Sequence, residues 1–136
     1  MRNTVFIGLL ICICSCSKTE LNKINNLNGG KILIVGHGGT GFQTGRNPYP
    51  SNSEISISRA LDLYAADGIE MDLQLSKDSS IILFHNDLLE TATDCQGCLN
   101  ELNVENLLKC RYREDFAVNL ASNAYVTSLE NIVNKY

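Results

Sequence analysis

Two carboxylates, Glu70 and Asp72, stand two positions apart in the run Gly68-Ile69-Glu70-Met71-Asp72-Leu73-Gln74-Leu75, which is otherwise mostly apolar. Side chains alternate along a strand, so this spacing puts both on one face. A carboxylate pair on an apolar strand is costly unless a cation or hydrogen bonds offset it. Oxygen donors of this kind suit a hard divalent metal. The chain has only two histidines, His37 and His85, and they flank this run. Carboxylates holding a cation, with two imidazoles moving protons, would serve metal-assisted phosphoryl or acyl transfer.

The elements around these residues have to bring them together. Lys31-Ile32-Leu33-Ile34-Val35-Gly36 is a short apolar, β-branched run, and it predicts a strand buried on both faces that ends at His37. Gly38, Gly39 and Gly41 follow, where backbone could approach a ligand closely. A loop with Pro48 and Pro50 leads to a helix whose stripe is Ile57, Ala60, Leu61, Tyr64 and Ala65. Asn52 or Ser53 is its expected N-cap and Gly68 its expected stop. Strand, helix and strand make a βαβ unit, which implies a parallel sheet covered by helices. The next connection is too short for a parallel crossover, so a hairpin is expected with its turn at Asp78-Ser79. That register sets Lys77 against Ser80 and His85 against Asp72, within about 5 Å at the Cβ atoms. A short helix is expected from Val104 to Lys109, capped by Asn103. Thr127-Ser128-Leu129-Glu130 reads as a capping box that opens a last helix through Ile132 and Val133.

Each feature has a plainer reading when taken alone. A histidine at a strand end is commonly a structural hydrogen-bonder, two carboxylates can line a solvated strand face, and paired glycines can be any turn. The joint arrangement is what favours a site.

The chain has 136 residues, enough for one small domain. Hydrophobic residues make up 44% and charged residues 19%, a globular balance, and the net charge of −4 gives no reason to expect nucleic acid. Met1-Arg2-Asn3 is a short basic start, and Thr4 to Ile13 is an apolar stretch too short to span a bilayer. It runs into Ile13-Cys14-Ser15-Cys16, which resembles a bacterial lipobox, with Cys16 as the lipidated residue. The small Ser15 before it favours Cys16 over Cys14. The plainer alternative is an ordinary signal peptide cut nearby. Either way, export is expected, and lipidation would anchor the chain to a membrane without a spanning helix. Residues 17–30 read as a polar tether and 31–136 as the domain. Without the leader three cysteines remain, Cys95, Cys98 and Cys110. A structural zinc would need four ligands, so one disulfide among the three is the expectation, its pairing open.

His37-Gly38-Gly39, Pro50-Ser51-Asn52-Ser53, Ala60-Leu61, the run from Gly68 to Asp78, and Ile82-Leu83-Phe84-His85-Asn86-Asp87 together resemble the glycerophosphodiester phosphodiesterase family. Leu89-Glu90-Thr91-Ala92-Thr93, Gly97 and Thr127-Ser128-Leu129-Glu130 extend the resemblance over nearly all of the chain from Ile32 onward. It implies an α/β fold, a TIM barrel of which only the N-terminal part lies in this chain. It also implies a divalent metal (Ca2+ or Mg2+) and hydrolysis of a small-molecule glycerophosphodiester to glycerol 3-phosphate and an alcohol. By position, His37 and His85 match the acid/base histidines, and Glu70 and Asp72 match metal ligands. The segment after His85 matches a small insertion.

Two positions depart from the pattern. Gly38 stands where the family has an arginine that contacts phosphate, and Ser51 replaces the glutamate of a proline-glutamate-asparagine motif. Arg46 in the intervening loop is the candidate substitute for that arginine. These departures also fit a lipid-anchored binding protein without turnover. The same two-histidine chemistry would serve a phospholipase acting on intact lipids. A barrel of this kind takes about 250 residues. The family's third acidic ligand is therefore expected on a further strand, past Tyr136.

Overall fold

The computed structural model describes Gly30 and residues 32–113 and 124–136. The leader, Cys16 and nearly all of the tether lie outside the described residues. Among the described residues, no helix is long and apolar enough to cross a membrane.

The βαβ unit forms as expected. Strand β1 (Val35–His37) pairs in parallel with β2 (Gly68–Glu70), in a register that sets His37 beside Glu70. Between them runs helix α1 (Glu54–Ser58), which continues into a wider π turn over Arg59–Leu63. Ser53 is the N-cap, its hydroxyl accepting from the Ser56 amide at 3.3 Å. The helix stops earlier than Gly68. Ala65 takes a left-handed conformation (φ 53°), so the last turn of the expected stripe, Tyr64 and Ala65, is exposed. Ile57 and Ala60 are buried, and Ile57 packs with Leu83 and Ile132. That cluster includes Ile69 of β2 but no residue of β1. Leu33, Ile34 and Val35 are accordingly 57–66% exposed, which corrects the expectation of a strand buried on both faces.

The second half of the chain forms a separate antiparallel sheet of β3 (Leu73–Leu75), β4 (Ile81–Leu83) and β5 (Thr127–Ser128), with β4 in the middle. Glu70 and Asp72 therefore do not share one continuous strand. The chain leaves the first sheet at Glu70 and enters the second at Leu73. Asp72 lies in the gap, where its amide donates to the side chain of Asn52 in place of a strand partner.

The β3–β4 hairpin is present, but its register differs by one residue from expectation. Leu73 faces Leu83, Gln74 faces Ile82 and Leu75 faces Ile81. Phe84, not His85, is thus next to Asp72, and its amide donates to the Asp72 carbonyl at 3.1 Å. The cause is a three-residue loop, Lys77-Asp78-Ser79, in which Ser79 adopts the left-handed region (φ 63°). Ser76 closes it: its amide donates to the Ser80 carbonyl, and its hydroxyl accepts from the Ser80 amide while donating to Asp78 Oδ1.

Alternation along β4 divides the core. Ile82, with Phe84 just beyond the strand, packs on the excursion over residues 86–113, against Leu89, Leu99, Leu107 and Tyr112. Leu83 faces the helices. The excursion holds two 3-10 turns (Leu89–Thr91 and Leu99–Glu101) and helix α2 (Val104–Leu107), shorter than expected. The Asn103 side chain does not cap α2; Asp78 Oδ1 accepts from the Val104 amide at 3.0 Å instead. The Lys77 amide donates to the Leu102 carbonyl alongside. A disulfide joins Cys95 to Cys110 and leaves Cys98 free. The last helix, α3 (Leu129–Lys135), is capped by Ser128, whose hydroxyl accepts from the Asn131 amide at 3.2 Å. The expected box with Thr127 as cap and Glu130 as its partner is therefore displaced by one residue: the helix begins at Leu129, which puts Ser128 at the cap and Thr127 within β5.

Candidate active site

The parallel register brings His37 to Glu70. His37 Nδ1 lies 2.9 Å from Glu70 Oε2, with about half of each side chain exposed. The Gly38 amide reaches the same residue, donating to its carbonyl at 2.9 Å and lying 3.3 Å from Oε2. The turn that makes this possible needs its glycines. Gly39 has φ +104°, and a Cβ there would press on the backbone of Ser56 and Ile57 at 2.6 and 2.8 Å. Gly38 is also left-handed (φ +54°), and the space a side chain would need is filled by Ser51. The two positions that depart from the family pattern thus touch each other.

Asn52 holds Asp72 from both sides of its amide. Its Nδ2 donates to Asp72 Oδ2 at 2.8 Å, and its Oδ1 accepts from the Asp72 backbone amide at 3.0 Å. Asn52 is buried and left-handed (φ 64°), a conformation asparagine tolerates better than most residues. The sequence offered Asn52 as a possible cap and as the asparagine of the Pro50-Ser51-Asn52 resemblance, with no contact to Asp72 foreseen. Its signal lay in the residue type at a loop–helix junction, where both roles are open to asparagine.

His85 is exposed, and its Nδ1 lies 2.8 Å from Asn86 Oδ1. The Asn86 amide nitrogen donates to Thr91 Oγ1, which donates to the Leu88 carbonyl. That chain orients the amide so that its oxygen faces the imidazole. Both histidines thus present Nδ1 to an oxygen acceptor, which places the proton on Nδ1 and leaves Nε2 free for proton transfer.

A cavity of about 280 Å³ collects these groups. His37, Asp72 and His85 line it together with Phe42, Ser51, Asn52, Phe84 and Tyr112. Glu70 does not line it and joins through its contact with His37. Arg46 sits exposed in the preceding loop and is not part of the lining, so the structure does not bring the candidate phosphate-binding cation to the site. Its amide faces Thr44 Oγ1 within that loop. Tyr112 was not foreseen. Its phenol oxygen is buried with no hydrogen-bond partner among the described residues, and burial pushes its pKa above the ordinary value.

Among the described residues, no three His, Cys, Asp or Glu side chains converge as a ready cation cage. The donor chemistry still fits a hard cation in part. Glu70 and Asp72 each engage one carboxylate oxygen, Oε2 and Oδ2, and leave the other without a partner among the described residues. Two carboxylates completed by water and substrate oxygens are a usual Mg2+ arrangement.

The glycerophosphoryl diester phosphodiesterase family model matches residues 44–135. A glycerophosphodiester phosphodiesterase from Caldanaerobacter subterraneus is 30% identical over 91 residues, covering 64% of this chain and 35% of its own length. The chain thus spans about a third of that relative. Among solved structures, a glycerophosphodiester phosphodiesterase from Agrobacterium tumefaciens superposes with a TM-score of 0.65 at 22% identity, over 77% of this chain and 42% of its own. A glycerophosphoryl diester phosphodiesterase from Parabacteroides distasonis gives 0.58 at 31% identity, over 76% and 34%. The two sheets and their helices are therefore a portion of a TIM barrel, and the chain belongs to the glycerophosphoryl diester phosphodiesterase family.

Proposed function

We propose that this protein hydrolyses glycerophosphodiesters to glycerol 3-phosphate and an alcohol, with His37 and His85 as the proton-transfer pair. The observation that carries the reading is the single cavity lined by both histidines and Asp72, with Glu70 held on His37. One imidazole takes a proton from the attacking water through its free Nε2, and the other, entering the step as the imidazolium with a proton on each nitrogen, delivers its Nε2 proton to the departing alkoxide. Glu70 and Asp72 would hold the divalent cation, calcium or magnesium. When bound, that cation neutralises charge on the phosphate oxygens. Asn52 keeps the Asp72 carboxylate aimed, and Gly38 and Ser51 leave neutral groups where a guanidinium would otherwise meet the phosphate. In this reading Cys16 carries the lipid that anchors the exported protein to a membrane.

The test is turnover of glycerophosphocholine with Ca2+ or Mg2+ by the wild type and by His37→Ala and His85→Ala. Each variant should lose about 10²- to 10⁴-fold in kcat. Full turnover that is insensitive to both substitutions refutes the assignment. Hydrolysis of intact phospholipid in place of the glycerophosphodiester replaces the substrate class. Incorporation of labelled fatty acid that is abolished by Cys16→Ala tests the anchor.

A further inference from the structure

The two histidines are held by different means. His37 ends a strand, bonds to the Glu70 carboxylate and lies edge-on to the Phe42 ring, with centroids 4.8 Å apart. His85 lies beyond β4 (Ile81–Leu83) and is exposed. Among the described residues its ring meets one polar partner, the Asn86 side chain. An exposed imidazole past the end of a strand keeps one orientation only if its neighbours are themselves locked. Two residues supply that lock.

The first acts on the backbone. Gln74 Nε2 donates to the Phe84 carbonyl and to the Asn86 carbonyl, each at 2.9 Å. Those carbonyls flank His85, so one amide, with both of its hydrogens engaged, holds the chain on either side of the imidazole. Gln74 is itself fixed in β3, opposite Ile82. The second acts on the ring. The Leu88 carbonyl can only accept, so the single Thr91 hydroxyl proton is directed at it, at 2.6 Å. The Thr91 oxygen is then an acceptor, and it takes the Asn86 amide nitrogen at 2.8 Å. This leaves Asn86 Oδ1 for His85, 2.8 Å from Nδ1. The Leu88 carbonyl is held by the turn Leu89–Thr91, whose Leu89 side chain is fully buried. A main-chain carbonyl three links away thus selects the His85 tautomer with its hydrogen on Nδ1.

We infer that Gln74 and Thr91 are positioning residues for His85: Gln74 fixes the backbone that carries the imidazole, and Thr91 fixes which nitrogen takes part. The assignment rests on the phosphodiesterase reading above. As base, the selected tautomer offers its lone pair on Nε2; as acid, loss of the Nε2 proton leaves that same tautomer behind. Neither Gln74 nor Thr91 lines the cavity, so both act on turnover and not on capture of the substrate.

The experiment is nitrogen NMR of the full chain with isotope-labelled histidine, at about pH 8.5, above the ordinary imidazole range, together with turnover of glycerophosphocholine with Ca2+. The His85 signals are identified by their loss in His85→Ala. The wild type should carry the His85 hydrogen on Nδ1. Thr91→Val keeps the shape and removes the hydroxyl; it should give mixed tautomers at His85 and leave the His37 signals in place. Thr91→Ser should restore the wild-type pattern. Thr91→Val and Gln74→Met should each lower kcat about tenfold, the worth of one hydrogen bond, with KM unchanged. Gln74→Glu, whose carboxylate cannot donate to the two carbonyls, should behave like Gln74→Met. A wild-type His85 with its hydrogen on Nε2, a tautomer that Thr91→Val leaves unaltered, or equal loss of turnover in Thr91→Val and Thr91→Ser overturns the role of Thr91. Full turnover in Gln74→Met and Gln74→Glu, or a raised KM as their whole effect, overturns that of Gln74. A wild type without turnover overturns the phosphodiesterase reading, and the tautomer pattern then decides the positioning of His85 by itself.

Discussion

Replacing Asn52 by glycine removes both hydrogen bonds to Asp72 and leaves the left-handed backbone (φ 64°) relaxed. The bond to the Asp72 carboxylate is of the charged kind, about 1.5–3 kcal/mol, and the one from its backbone amide about 0.5–1.5 kcal/mol. Asp72 is only half-buried, so water recovers part of this, and a net loss of about 2–3 kcal/mol is expected. Asn52→Ala loses the same bonds and adds the cost of a Cβ in the left-handed region, about 1–2 kcal/mol. The order of stability should therefore be wild type, then Asn52→Gly, then Asn52→Ala, read as urea midpoints at constant slope. In the phosphodiesterase assay both variants should lower kcat, because Asp72 is no longer aimed. Asn52→Gly within about 0.5 kcal/mol of wild type, the range of an indifferent surface change, would falsify the bracing role. Alanine more stable than glycine would show that the backbone conformation is not as described.

Two further outcomes follow from the excursion and the hairpin turn. The Cys95–Cys110 disulfide closes a 15-residue loop, so Cys95→Ser with Cys110→Ser should cost about 3 kcal/mol in urea unfolding, and dithiothreitol should not weaken that variant further. The Asp78 carboxyl is held below its ordinary value of 3.8, chiefly by the Ser76 hydroxyl and also by the Val104 amide. A pKa depressed on folding contributes stability above the unfolded value, and that stability is lost as pH falls through the folded one. Asp78→Ala should thus destabilise the protein at neutral pH, and the gap to wild type should narrow as pH drops below 3.8. A gap that is constant from neutral pH to pH 3 refutes that role.

Where the chain speaks through residue type, it could be read closely. The βαβ unit, the hairpin, the helix after Ser128 and the meeting of His37 with His85 on one cavity followed from apolar runs, short connections and two histidines. Where the outcome turned on one torsion, it could not. Ser79 in the left-handed region adds a residue to the turn, and that single angle moves Phe84 into the place expected for His85. The same holds for Ala65, where nothing in an alanine announces the end of a helix. The break between Glu70 and Asp72 depends on Asn52, twenty residues away, outcompeting a strand partner for one amide. The burial expected of β1 failed for another reason, since an apolar run states a preference and not which element satisfies it. Tyr112 was illegible because the burial of its hydroxyl is set by its surroundings and not by its residue type.

The excursion over residues 86–113 is fastened at both ends of the hairpin. At one end Gln74 donates to the Phe84 and Asn86 carbonyls; at the other the Lys77 amide and the Asp78 carboxylate engage Leu102 and Val104. The loop that brings Phe42 and Gln43 to the cavity is built differently. Asn47 spends its amide on Thr40, Gly41 and Phe42, and Gln43 bonds to Pro48, so most of its hydrogen bonds run within the loop itself. Its tie to the helix is at Thr40, whose amide and hydroxyl both meet the Ser56 hydroxyl. Of the groups lining the cavity, Phe42 and Gln43 thus belong to a loop bonded mainly to itself, whereas Phe84 and Asn86 are bonded through Gln74 to the hairpin.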